Sequence, residues 1–409
     1  MNILVLNCGS ATVKFQIIDT DRDRAAADSD RRLASGIIEN IGERTRISFE
    51  AEGRPRESFS EPLADYRAGI DRILAWITSD GAEIEGIRSL DDIHAVGHRV
   101  VHGGERFRDH ALIDQAVLEG IEDCVELAPL HNPVNLKGIR AAGELLGGAT
   151  PQVAVFDTAF HMTMPEASYL YGLPYELYEK HGIRRYGFHG TSHQYLAYRY
   201  GRMRGLAPEA VNIITLHLGG GCSACAIRGG QSFATSMGFT PLAGLLMGTR
   251  SGDLDPSVIA YLAGKEDLGV ADIDKLLNNQ SGLLGLSGLS GDIRVLLQAV
   301  AEGGNHRAEL AVELFCRRVR HYIGAYLAEM DGAEALVFSG GIGENAPEVR
   351  RRICQGLSWC GVVLDEARNE AMTGGALGEI TTDESHLKVF VVPTNEELLI
   401  ARETAAIVE

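Results

Sequence analysis

Three glycine-rich turns in the sequence carry the residue types that bind phosphate. They read NCGSATVKF at 7–15, HLGGGC at 217–222 and SGGIGEN at 339–345. Apolar stretches flank the first two turns on both sides, which predicts strand-turn-strand hairpins. The third turn follows an apolar strand and precedes a helix predicted to begin near Asn345 or Ala346. Because backbone N–H groups in such turns form concavities that bind anions, the three turns together indicate a polyphosphate site.

The first turn carries more polar side chains than a connection between two strands requires. They are Asn7, Ser10, Thr12 and Lys14. Lys14 would supply a positive charge to a phosphate, whereas the three uncharged residues can bind phosphate oxygens or metal-bound water. The phosphate-loop pattern GxxxxGK[ST] does not occur in the chain, which excludes the P-loop class.

The first two turns belong to a repeated pattern. The segment NIITLHLGGGCSACAI at 212–227 is similar to NILVLNCGSATVKFQI at 2–17, so the starting points lie 210 residues apart (212 − 2) in a chain of 409. An internal duplication is the economical interpretation, and a chance similarity between two hairpins is the alternative. Because strands alternate with helices, the predicted class is α/β, and the length favours two domains.

Two predicted strands carry charged residues at their ends. AVGHRVVHGG at 95–104 contains Arg99, and the apolar run QVAVF at 152–156 is followed directly by Asp157. A carboxylate that follows a buried strand is in the usual place for a functional group of an open α/β sheet, although a helix cap is the competing interpretation. Arg250 lies not at a strand end but in the glycine-flanked loop GTRSGD. An acidic protein gains little from placing an arginine there unless an anion binds to it.

Local patterns also predict several element ends. The charged segment 19–32 is typical of a solvated hairpin tip. Asp255 is a predicted N-cap with Pro256 at the first helical position, and the last helix of the chain is predicted to be capped near Thr394.

The histidines admit a metal interpretation. Ten of the 13 lie between His94 and His217. His189 and His193 are one helical turn apart and, with His217 as a third ligand, could bind zinc. The motif HxxxH lacks the glutamate of HExxH, however, and no second carboxylate stands at ligand spacing. A structural role for His193 is the competing interpretation.

Composition restricts the partners and the compartment. The formal net charge of −18 argues against nucleic acid and anionic membranes as partners, and the apolar runs are shorter than a membrane span requires. The N-terminus shows no signal-peptide pattern. Seven scattered cysteines indicate reduced thiols and a cytoplasmic protein. Cys222 and Cys225 have CxxC spacing, for which a zinc or redox role is the less favoured interpretation.

Eight motifs, in order along essentially the whole chain, resemble those of the acetate kinase family. They are NCGS (7–10), GHRVVHGGE (97–105), FDTAFH (156–161), YGFHGTSH (186–193), HLGGG (217–221), MGTRSGDLDP (247–256), SGGIGEN (339–345) and PTNEEL (393–398). The resemblance implies a duplicated ribonuclease-H-like fold, that of the actin-like ATPases, with two domains around a nucleotide cleft. It implies an acyl- and Mg²⁺-binding domain at 1–156 plus 394–409, and a nucleotide-binding and dimerisation domain at 157–393.

The reaction that this resemblance implies is a reversible, Mg²⁺-dependent transfer of a phosphoryl group between ATP and acetate, giving acetyl phosphate and ADP. Such a transfer requires cations, because negative charge spreads over the equatorial oxygens of the moving group. By resemblance, Arg99 holds the carboxylate or the acyl phosphate, and Arg250 and His189 stabilise the transferring phosphoryl group. Asp157 would contact the reacting carboxyl group or the metal-bound phosphate.

The same resemblance implies three sets of binding residues. Asn7 and Glu396 would hold Mg²⁺, or Mn²⁺ in its place, although Glu396 could instead only compensate a helix dipole. The residues implied for ATP or ADP are Ser10, Thr12, Lys14, His217, Leu218, Gly219, Gly220, Gly221, Asp292, Ile293, Arg294, Gly341, Ile342, Gly343, Glu344 and Asn345. The residues implied for the acyl pocket are Val101, Leu130, Phe188 and Pro241.

Three positions depart from the usual pattern of the family. Gly220 stands where the family commonly has Asn, Thr12 replaces a common Ser, and Ala243 replaces a common Glu. These changes affect the expected nucleotide affinity more than the reaction type.

Two alternative functions stay open: a kinase for propionate or another short acid, and a nucleotide-switched protein without an acyl acceptor. The resemblance also suggests a homodimer formed through the second domain.

Overall fold

The computed structural model describes residues 1–9, 11–42 and 44–409. Ser10, which was assigned to the first phosphate turn, therefore lies outside the described residues. The chain divides into two compact units. The first unit joins Met1–Ala159 to Asn395–Glu409, and the second unit is Phe160–Thr394. The roles predicted for the two domains stay predictions.

Strands and helices alternate in both units. The strands of the described residues are β1 (Asn2–Gly9), β2 (Thr12–Asp19), β3 (Arg31–Glu39), β4 (Arg46–Ala51), β5 (Glu57–Ser60), β6 (Ala95–Val100), β7 (Ala111–Leu112), β8 (Gln152–Phe156), β9 (Ile213–Leu218), β10 (Cys222–Arg228), β11 (Gln231–Thr235), β12 (Ala335–Ser339), β13 (Gly378–Glu379) and β14 (Lys388–Val391). The helices are α1 (Arg22–Ala27), α2 (Tyr66–Ile77), α3 (Gln115–Asp123), α4 (Asn132–Leu146), α5 (Glu166–Tyr169), α6 (Tyr175–His181), α7 (Gly190–Arg204), α8 (Ser257–Lys265), α9 (Val270–Asn279), α10 (Gly282–Ser287), α11 (Ile293–Ala301), α12 (His306–Glu329), α13 (Gly340–Asn345), α14 (Pro347–Cys354), α15 (Glu366–Ala371) and α16 (Glu396–Val408).

The two units contain sheets that share a six-stranded topology. The sheet of the first unit has the order β5-β4-β3-β2-β1-β6-β8-β7, and that of the second has the order β11-β10-β9-β12-β14-β13. In the shared part, three antiparallel strands are followed by two that run parallel to the innermost of the three, and a short antiparallel strand closes the edge. The first sheet extends beyond this part by the antiparallel strands β4 and β5. The predicted α/β class and the internal duplication are confirmed, because six strands correspond in both order and direction.

Helix α16 completes the first unit although it comes from the opposite end of the sequence. Its residues Ile400 and Ala401 pack with Ile3, Val5 and Val153 in one apolar cluster. A Cβ atom at Gly97 of β6 would lie 2.4 Å from Thr404 Oγ1 and 2.8 Å from Ile400 Cγ2, so a glycine is needed where the helix crosses the sheet. This packing fixes the first turn of α16, which carries Glu396, against the strands of the first unit.

The helix predicted to begin near Asn345 or Ala346 is α14, which begins at Pro347 with Ala346 as its N-cap. The third glycine-rich turn itself contains a further short helix that was not predicted, α13, which begins at Gly340 directly after β12. Gly340 has φ of 74°, and a Cβ there would lie 2.6 Å from the Leu218 carbonyl oxygen. The turn is therefore compressed into one residue, which only glycine allows. Ala346 separates α13 from α14.

Three other local predictions agree with the structure to within one residue or one short helix. The segment 19–32 lies at the tip of the antiparallel β2–β3 pair, as predicted, and also contains the short helix α1, because Asp21 accepts from the Arg24 backbone N–H at 2.8 Å. Pro256, not Asp255, is the N-cap of α8, although Asp255 Oδ1 accepts from the Ser257 N–H at 2.8 Å. The cap of α16 that was predicted near Thr394 is the next residue, Asn395, which accepts from the Leu398 N–H at 3.1 Å.

Among the described residues, no helix is both long enough and apolar enough to span a membrane.

Candidate active site

Arg99 and Asp157 meet at the carboxyl ends of two neighbouring parallel strands in the first unit. Arg99 lies on β6 opposite Val155 of β8, and Asp157 directly follows β8. Arg99 Nε donates to both carboxylate oxygens of Asp157, at 3.1 and 3.0 Å, and Nη2 donates to Oδ2. Asp157 is only 1% exposed, so the guanidinium takes the place of hydrating water. The sequence analysis placed both residues at strand ends but missed their pairing.

Asn7 and Glu396, the residues predicted to hold Mg²⁺, lie beside the same guanidinium. Arg99 Nη1 donates to Asn7 Oδ1 at 3.4 Å, and Glu396 Oε2 lies 3.8 Å from Arg99 Nε. Burial acts to lower the pKa of Arg99, but the charges of Asp157 and Glu396 outweigh it and raise that pKa. Arg99 therefore stays positively charged.

Carboxylates outnumber cations in this cluster of the first unit. Burial raises the pKa of Glu396, with Asp157 acting in the same direction and Arg99 in the opposite one. Burial and the charge of Glu396 raise the pKa of Glu397. Three acidic groups thus face two cations, Arg99 and Lys14. The sequence analysis missed Glu397, although the paired glutamates of PTNEEL were a usable signal.

The first hairpin places Lys14 beside Asn7. In the β1–β2 pair, Asn7 lies opposite Lys14 and Gly9 lies opposite Thr12. Directly opposite residues of an antiparallel pair present their side chains on the same face. Tyr66 Oη donates to the Gly9 carbonyl oxygen at 2.7 Å and so anchors the end of β1 next to the turn.

Asn135, which the sequence analysis missed, connects the strand ends that carry Asn7 and Arg99. Its Nδ2 donates to the Cys8 carbonyl oxygen at 3.0 Å, and its Oδ1 accepts from the Val101 N–H at 3.1 Å. The amide is buried at the start of α4, so both of its ends are used. The only sequence signal was the polar pair in HNPVN at an otherwise apolar helix start.

His189 occupies a strained backbone position at the start of α7 in the second unit. Its φ is 57°, a left-handed conformation that residues other than glycine rarely adopt. His161 Nε2 donates to the carbonyl oxygen of the preceding Phe188 at 3.0 Å, and His189 Nδ1 lies 2.9 Å from Ser223 Oγ. Hydrogen bonds on both sides of the strained residue hold it in place, as is common at functional sites.

His193 has a structural role rather than a metal-binding one. Its Nδ1 lies 2.7 Å from Thr215 Oγ1, and its Nε2 lies 2.7 Å from Ser223 Oγ. Burial, followed by the charges of His161 and His217, lowers the pKa of His193 well below the ordinary value. Both ring nitrogens are engaged by hydroxyl groups, which argues against the zinc interpretation of HxxxH.

His217 lies at the end of β9 against His189. The two ring centroids are 4.3 Å apart and the ring planes are inclined by 32°. Ser192 Oγ lies 2.8 Å from His217 Nδ1 and 2.8 Å from Thr394 Oγ1. The sequence placed His217 in the second phosphate turn, and the structure brings that turn next to His189.

Arg250 is a largely buried cation without an acidic neighbour. Its Nη1 donates to the Pro241 carbonyl oxygen at 3.1 Å and approaches Met247 Sδ at 3.5 Å, and no ion pair of Arg250 occurs within the described ranges. Burial lowers the pKa of Arg250. A Cβ at Gly221 would lie 3.4 Å from His189 Nε2 and 3.6 Å from Arg250 Nη1. The second glycine-rich turn, His189 and Arg250 therefore enclose one small space.

A cavity of about 710 Å³ opens beside this turn in the second unit. Its size lies within the usual range of small-molecule sites. It joins segments that the resemblance assigned to ATP, together with four residues that were not assigned: Gly248, Thr249, Gly291 and Ala346. The assigned lining residues are Gly219, Gly220, Asp292, Ile293, Arg294, Gly341, Ile342 and Asn345.

Two assigned nucleotide residues make contacts of a different kind. Glu344 Oε1 accepts from the Gly340 N–H at 2.9 Å and from the Thr394 N–H at 3.1 Å, and so stabilises the third turn. Asp292 caps α11 and pairs with Arg294 Nη2 at 2.6 Å.

The residues assigned to the acyl pocket differ in exposure. Within the first unit, Val101 is 9% exposed and Leu130 is 70% exposed. Within the second unit, Phe188 is 2% exposed, and the Pro241 carbonyl is the acceptor for Arg250. Leu130 thus does not pack in a core.

The CxxC pair cannot act as two ligands of one metal. Cys222 and Cys225 lie three residues apart on β10, so their side chains point to opposite faces of the sheet. Burial raises the pKa of each thiol to about 12. All seven cysteines are free thiols.

The whole chain is similar to known proteins in sequence and in fold. The sequence matches the model of the acetokinase family over residues 2–402. An acetate kinase from Solibacter usitatus (strain Ellin6076) is 57% identical over 404 residues, covering 99% of this chain and 97% of that protein. The crystal structure of an acetate kinase from Porphyromonas gingivalis superposes with a TM-score of 0.92 at 42% identity, over 100% of both chains. A propionate kinase from Francisella tularensis subsp. tularensis SCHU S4 superposes with a TM-score of 0.90 at 41% identity, over 99% of both chains.

Proposed function

Because this chain belongs to the acetokinase family, we propose that it transfers a phosphoryl group reversibly between ATP and acetate. In the forward direction a carboxylate oxygen of acetate attacks the γ-phosphorus of ATP in line with the departing oxygen of ADP. The bond from the γ-phosphorus to ADP breaks as the new P–O bond forms, which gives acetyl phosphate and ADP. The protein contributes position and charge, since little covalent chemistry is left for side chains.

The observation that carries this proposal is the setting of Arg250. A largely buried guanidinium that has no acidic partner among the described residues is unfavourable by itself, and an anion beside it would remove that penalty. The turn at Gly221 and the His189 ring border the same space. A phosphoryl group placed there would accept hydrogen bonds from Arg250 and His189 while its charge is at its most dispersed.

Arg99 and its neighbours fit the second substrate and a divalent ion. Arg99 would hold the carboxylate of acetate or acetyl phosphate, and Asp157 fixes the orientation of Arg99 through its two-point contact. Asp157 need not act as a base, because a carboxylic acid is already ionised at neutral pH. An anionic substrate would be repelled by the surplus of carboxylates unless a cation offset it.

Mg²⁺, or Mn²⁺ in its place, is the cation that these residues suit. Asn7 and Glu396 supply hard oxygen donors, and a bound cation would offset the burial that raises the pKa of Glu396. The described residues contain no ready-made group of three His, Cys, Asp or Glu ligands. That pattern fits Mg²⁺, which proteins commonly hold through one or two carboxylates, waters and substrate phosphates. When bound, the ion would neutralise charge on the phosphates of the nucleotide.

The nucleotide would occupy the cavity of the second unit. The Gly219 N–H donates to the Gly221 carbonyl within the turn, so the backbone N–H groups of Gly220 and Gly221 are the ones that would face the phosphates. The segments at Asp292 and Gly341 would face the ribose and base. Lys14 and Thr12 on the first hairpin are proposed to contact phosphate oxygens. Gly220 can contribute only its backbone, since it lacks the amide side chain common in the family.

Propionate is the second candidate acid. The similarity to a propionate kinase structure is almost as high as that to an acetate kinase structure. One methylene group in an apolar pocket changes discrimination by only about 1–3 kcal/mol. Val101, Leu130, Phe188 and Pro241 are the proposed residues that decide between the two acids.

We also propose that the protein is a homodimer in the cytoplasm. Helix α8 supports the dimer, since its sequence SVIAYLAGK is mostly apolar and yet none of its residues is buried. Val258 and Ile259 are each 39% exposed and Tyr261 is 64% exposed. A second copy of the chain is the proposed cover of this surface, because an apolar helix left in water is unfavourable.

Acyl phosphate formation, trapped as the hydroxamate, tests the proposal. Formate, acetate, propionate and butyrate are compared with ATP and Mg²⁺, with and without EDTA. We expect the highest kcat/KM with acetate, and a kcat roughly 10³-fold lower for Arg250→Ala. Arg228→Ala is the matched control, because Arg228 is exposed and donates to the Glu329 carbonyl oxygen at 3.0 Å.

Three outcomes would change the proposal. If propionate gives the highest kcat/KM, the reaction stands and the acid changes. If no acid supports turnover while ATP binds, the enzyme proposal fails and a nucleotide-switched protein replaces it. If Arg250→Ala retains full kcat, the role given to Arg250 is wrong.

A further inference from the structure

Four hydrogen-bonded residues connect the interior of the second sheet to His189. Thr215 Oγ1 lies 2.7 Å from His193 Nδ1, His193 Nε2 lies 2.7 Å from Ser223 Oγ, and Ser223 Oγ lies 2.9 Å from His189 Nδ1. Thr215, His193 and Ser223 are each 0% exposed. We call Thr215, His193, Ser223 and His189 the histidine relay. Because the first three of these side chains are buried, each of their polar atoms needs a hydrogen-bond partner, and these contacts supply it.

The direction of the hydrogen bonds is set at the inner end of the relay. Thr215 Oγ1 lies 3.4 Å from the Cys225 carbonyl oxygen, and a carbonyl oxygen can only accept. The single hydroxyl proton of Thr215 therefore points to Cys225. The Thr215 oxygen then accepts a proton from His193 Nδ1. If Thr215 instead donated its proton to His193 Nδ1, no proton would lie between Thr215 Oγ1 and the Cys225 carbonyl oxygen.

The direction continues through His193 and Ser223. Burial, followed by the charges of His161 and His217, lowers the pKa of His193 well below the ordinary value, so its ring is neutral. A neutral imidazole with its proton on Nδ1 accepts at Nε2. Ser223 therefore donates its hydroxyl proton to His193. Ser223 Oγ has no second proton to donate, so in its other hydrogen bond it must accept a proton from His189 Nδ1.

We infer that Ser223 is a positioning residue that holds a proton on His189 Nδ1, so that His189 donates from Nε2 only as an imidazolium ion. Nε2 is the atom that a Cβ at Gly221 would approach to 3.4 Å, on the side where Arg250 Nη1 lies. A neutral His189 would present a lone pair to an anion in that space. The inference rests on the proposed function, which places the transferring phosphoryl group there.

The groups around His189 in the second unit link its protonation to anion binding. His217 stacks on it from β9, Arg250 faces it across Gly221, and His193 lies one turn further along α7. Cys222 on β10 stays a neutral thiol, because burial raises its pKa to about 12. Arg250 disfavours a second positive charge until an anion is present. Anion binding and proton uptake by His189 are therefore coupled.

The position of the proton can be read directly by NMR of protein labelled with ¹⁵N-histidine, assigned with His189→Gln. In the free protein at pH 8 we expect His189 to be neutral, with a protonated Nδ1 and an unprotonated Nε2. Sulfate, an anion that does not titrate in this range, should protonate Nε2 as it binds. A free protein with the proton on Nε2 would overturn the inference, and so would sulfate binding that leaves Nε2 unchanged.

Kinetics separate positioning from a merely structural role. In the unsubstituted enzyme kcat/KM for ATP should fall as the pH rises and His189 loses its Nε2 proton. Ser223→Ala frees the neutral ring to carry its proton on Nε2. We expect kcat/KM roughly tenfold lower at pH 6.5 and a much flatter alkaline decrease. Ser223→Thr, which keeps the hydroxyl group, should retain the decrease, and an unaltered profile in Ser223→Ala would contradict the inference.

Ser236→Ala is the matched control for these variants. Ser236 is buried directly after β11 of the same sheet, and its Oγ accepts from the Ala224 N–H at 2.9 Å. Its removal should lower stability without changing the shape of the pH profile. Because the NMR measurement needs no turnover, the two proposals can fail separately. An Nδ1-protonated His189 in a protein that makes no acyl phosphate would refute only the proposed function.

Discussion

Arg99 and Asp157 form a two-point ion pair in which Arg99 Nε reaches both carboxylate oxygens, at 3.1 and 3.0 Å. Asp157 is almost fully buried, so it has no comparable contact with solvent. The pair leaves Nη1 directed to Asn7 at 3.4 Å. The carboxylate therefore determines which edge of the guanidinium a substrate can meet.

The substitution Asp157→Asn should lower kcat roughly 100-fold or more while the protein stays folded. The amide keeps the shape of the side chain but loses the charge that orients Arg99, and misplacement of a binding group by about 1 Å can reduce rates this much. The hydroxamate assay and thermal unfolding measure the two effects. Glu144→Gln, which breaks the exposed pair with Arg67, is the control and should leave kcat unchanged. More than half of the normal kcat in Asp157→Asn would contradict the orienting role.

The substitution Glu397→Gln should raise stability at neutral pH in the absence of divalent ions. Burial, followed by repulsion from Glu396, raises the pKa of Glu397 above its ordinary value of 4.5. The folded state therefore binds this proton more tightly than the unfolded state. The free energy of unfolding is reduced as the pH rises from 4.5 through the raised pKa, and the neutral glutamine does not suffer this loss.

The expected signature is a gain in melting temperature that grows from pH 5 to pH 8. Glu384→Gln removes one negative charge from an exposed position and serves as the control. A gain of equal size at both pH values would mean that packing, rather than charge, explains the change.

The substitution Gly221→Ala should reduce kcat about tenfold or more with little effect on folding. The new Cβ would make ordinary contacts at 3.4 Å to His189 Nε2 and 3.6 Å to Arg250 Nη1, and φ of Gly221 is not in the left-handed region. It would fill the space proposed for the phosphoryl group, and such a loss corresponds to about 1.4 kcal/mol.

The substitution Gly220→Asn should strengthen ATP binding, whereas Gly221→Ala should reduce kcat. A Cβ at Gly220 meets nothing within 4 Å among the described residues, so the larger side chain has room. Its amide can donate to a phosphate, and we expect KM for ATP to fall several-fold, by the worth of one hydrogen bond. A higher KM would show that the amide blocks the nucleotide.

The substitution Tyr261→Arg should convert the proposed homodimer into a monomer, measured by sedimentation velocity. An arginine in an apolar contact would have to be desolvated, which weakens association. Val270→Arg is the control, since Val270 is 83% exposed and lies outside α8. A variant that sediments like the unsubstituted protein would exclude α8 as the contact surface.

Sequence patterns identified both hairpins because each is a local feature. Turn glycines, polar turn residues and flanking apolar runs lie within about fifteen residues, and local hydrogen bonding alone then dictates strand-turn-strand structure. The similarity between the two hairpin segments is also local, and it predicted the duplication that the two sheets show. The start of α13 was missed because it depends on the close approach of Gly340 to the Leu218 carbonyl, which no local pattern encodes.

The sequence by itself determined the class of the fold, its duplication and the kinds of residue available for phosphoryl transfer, since these follow from composition, periodicity and motif order. Only the tertiary structure decided which of them meet. Arg99 and Asp157 are 58 residues apart, and Ser223 lies 34 residues from His189. Hydrogen bonds and ion pairs act over about 3 Å, so packing of strands and helices had to bring such residues together before their charges and protons could affect one another.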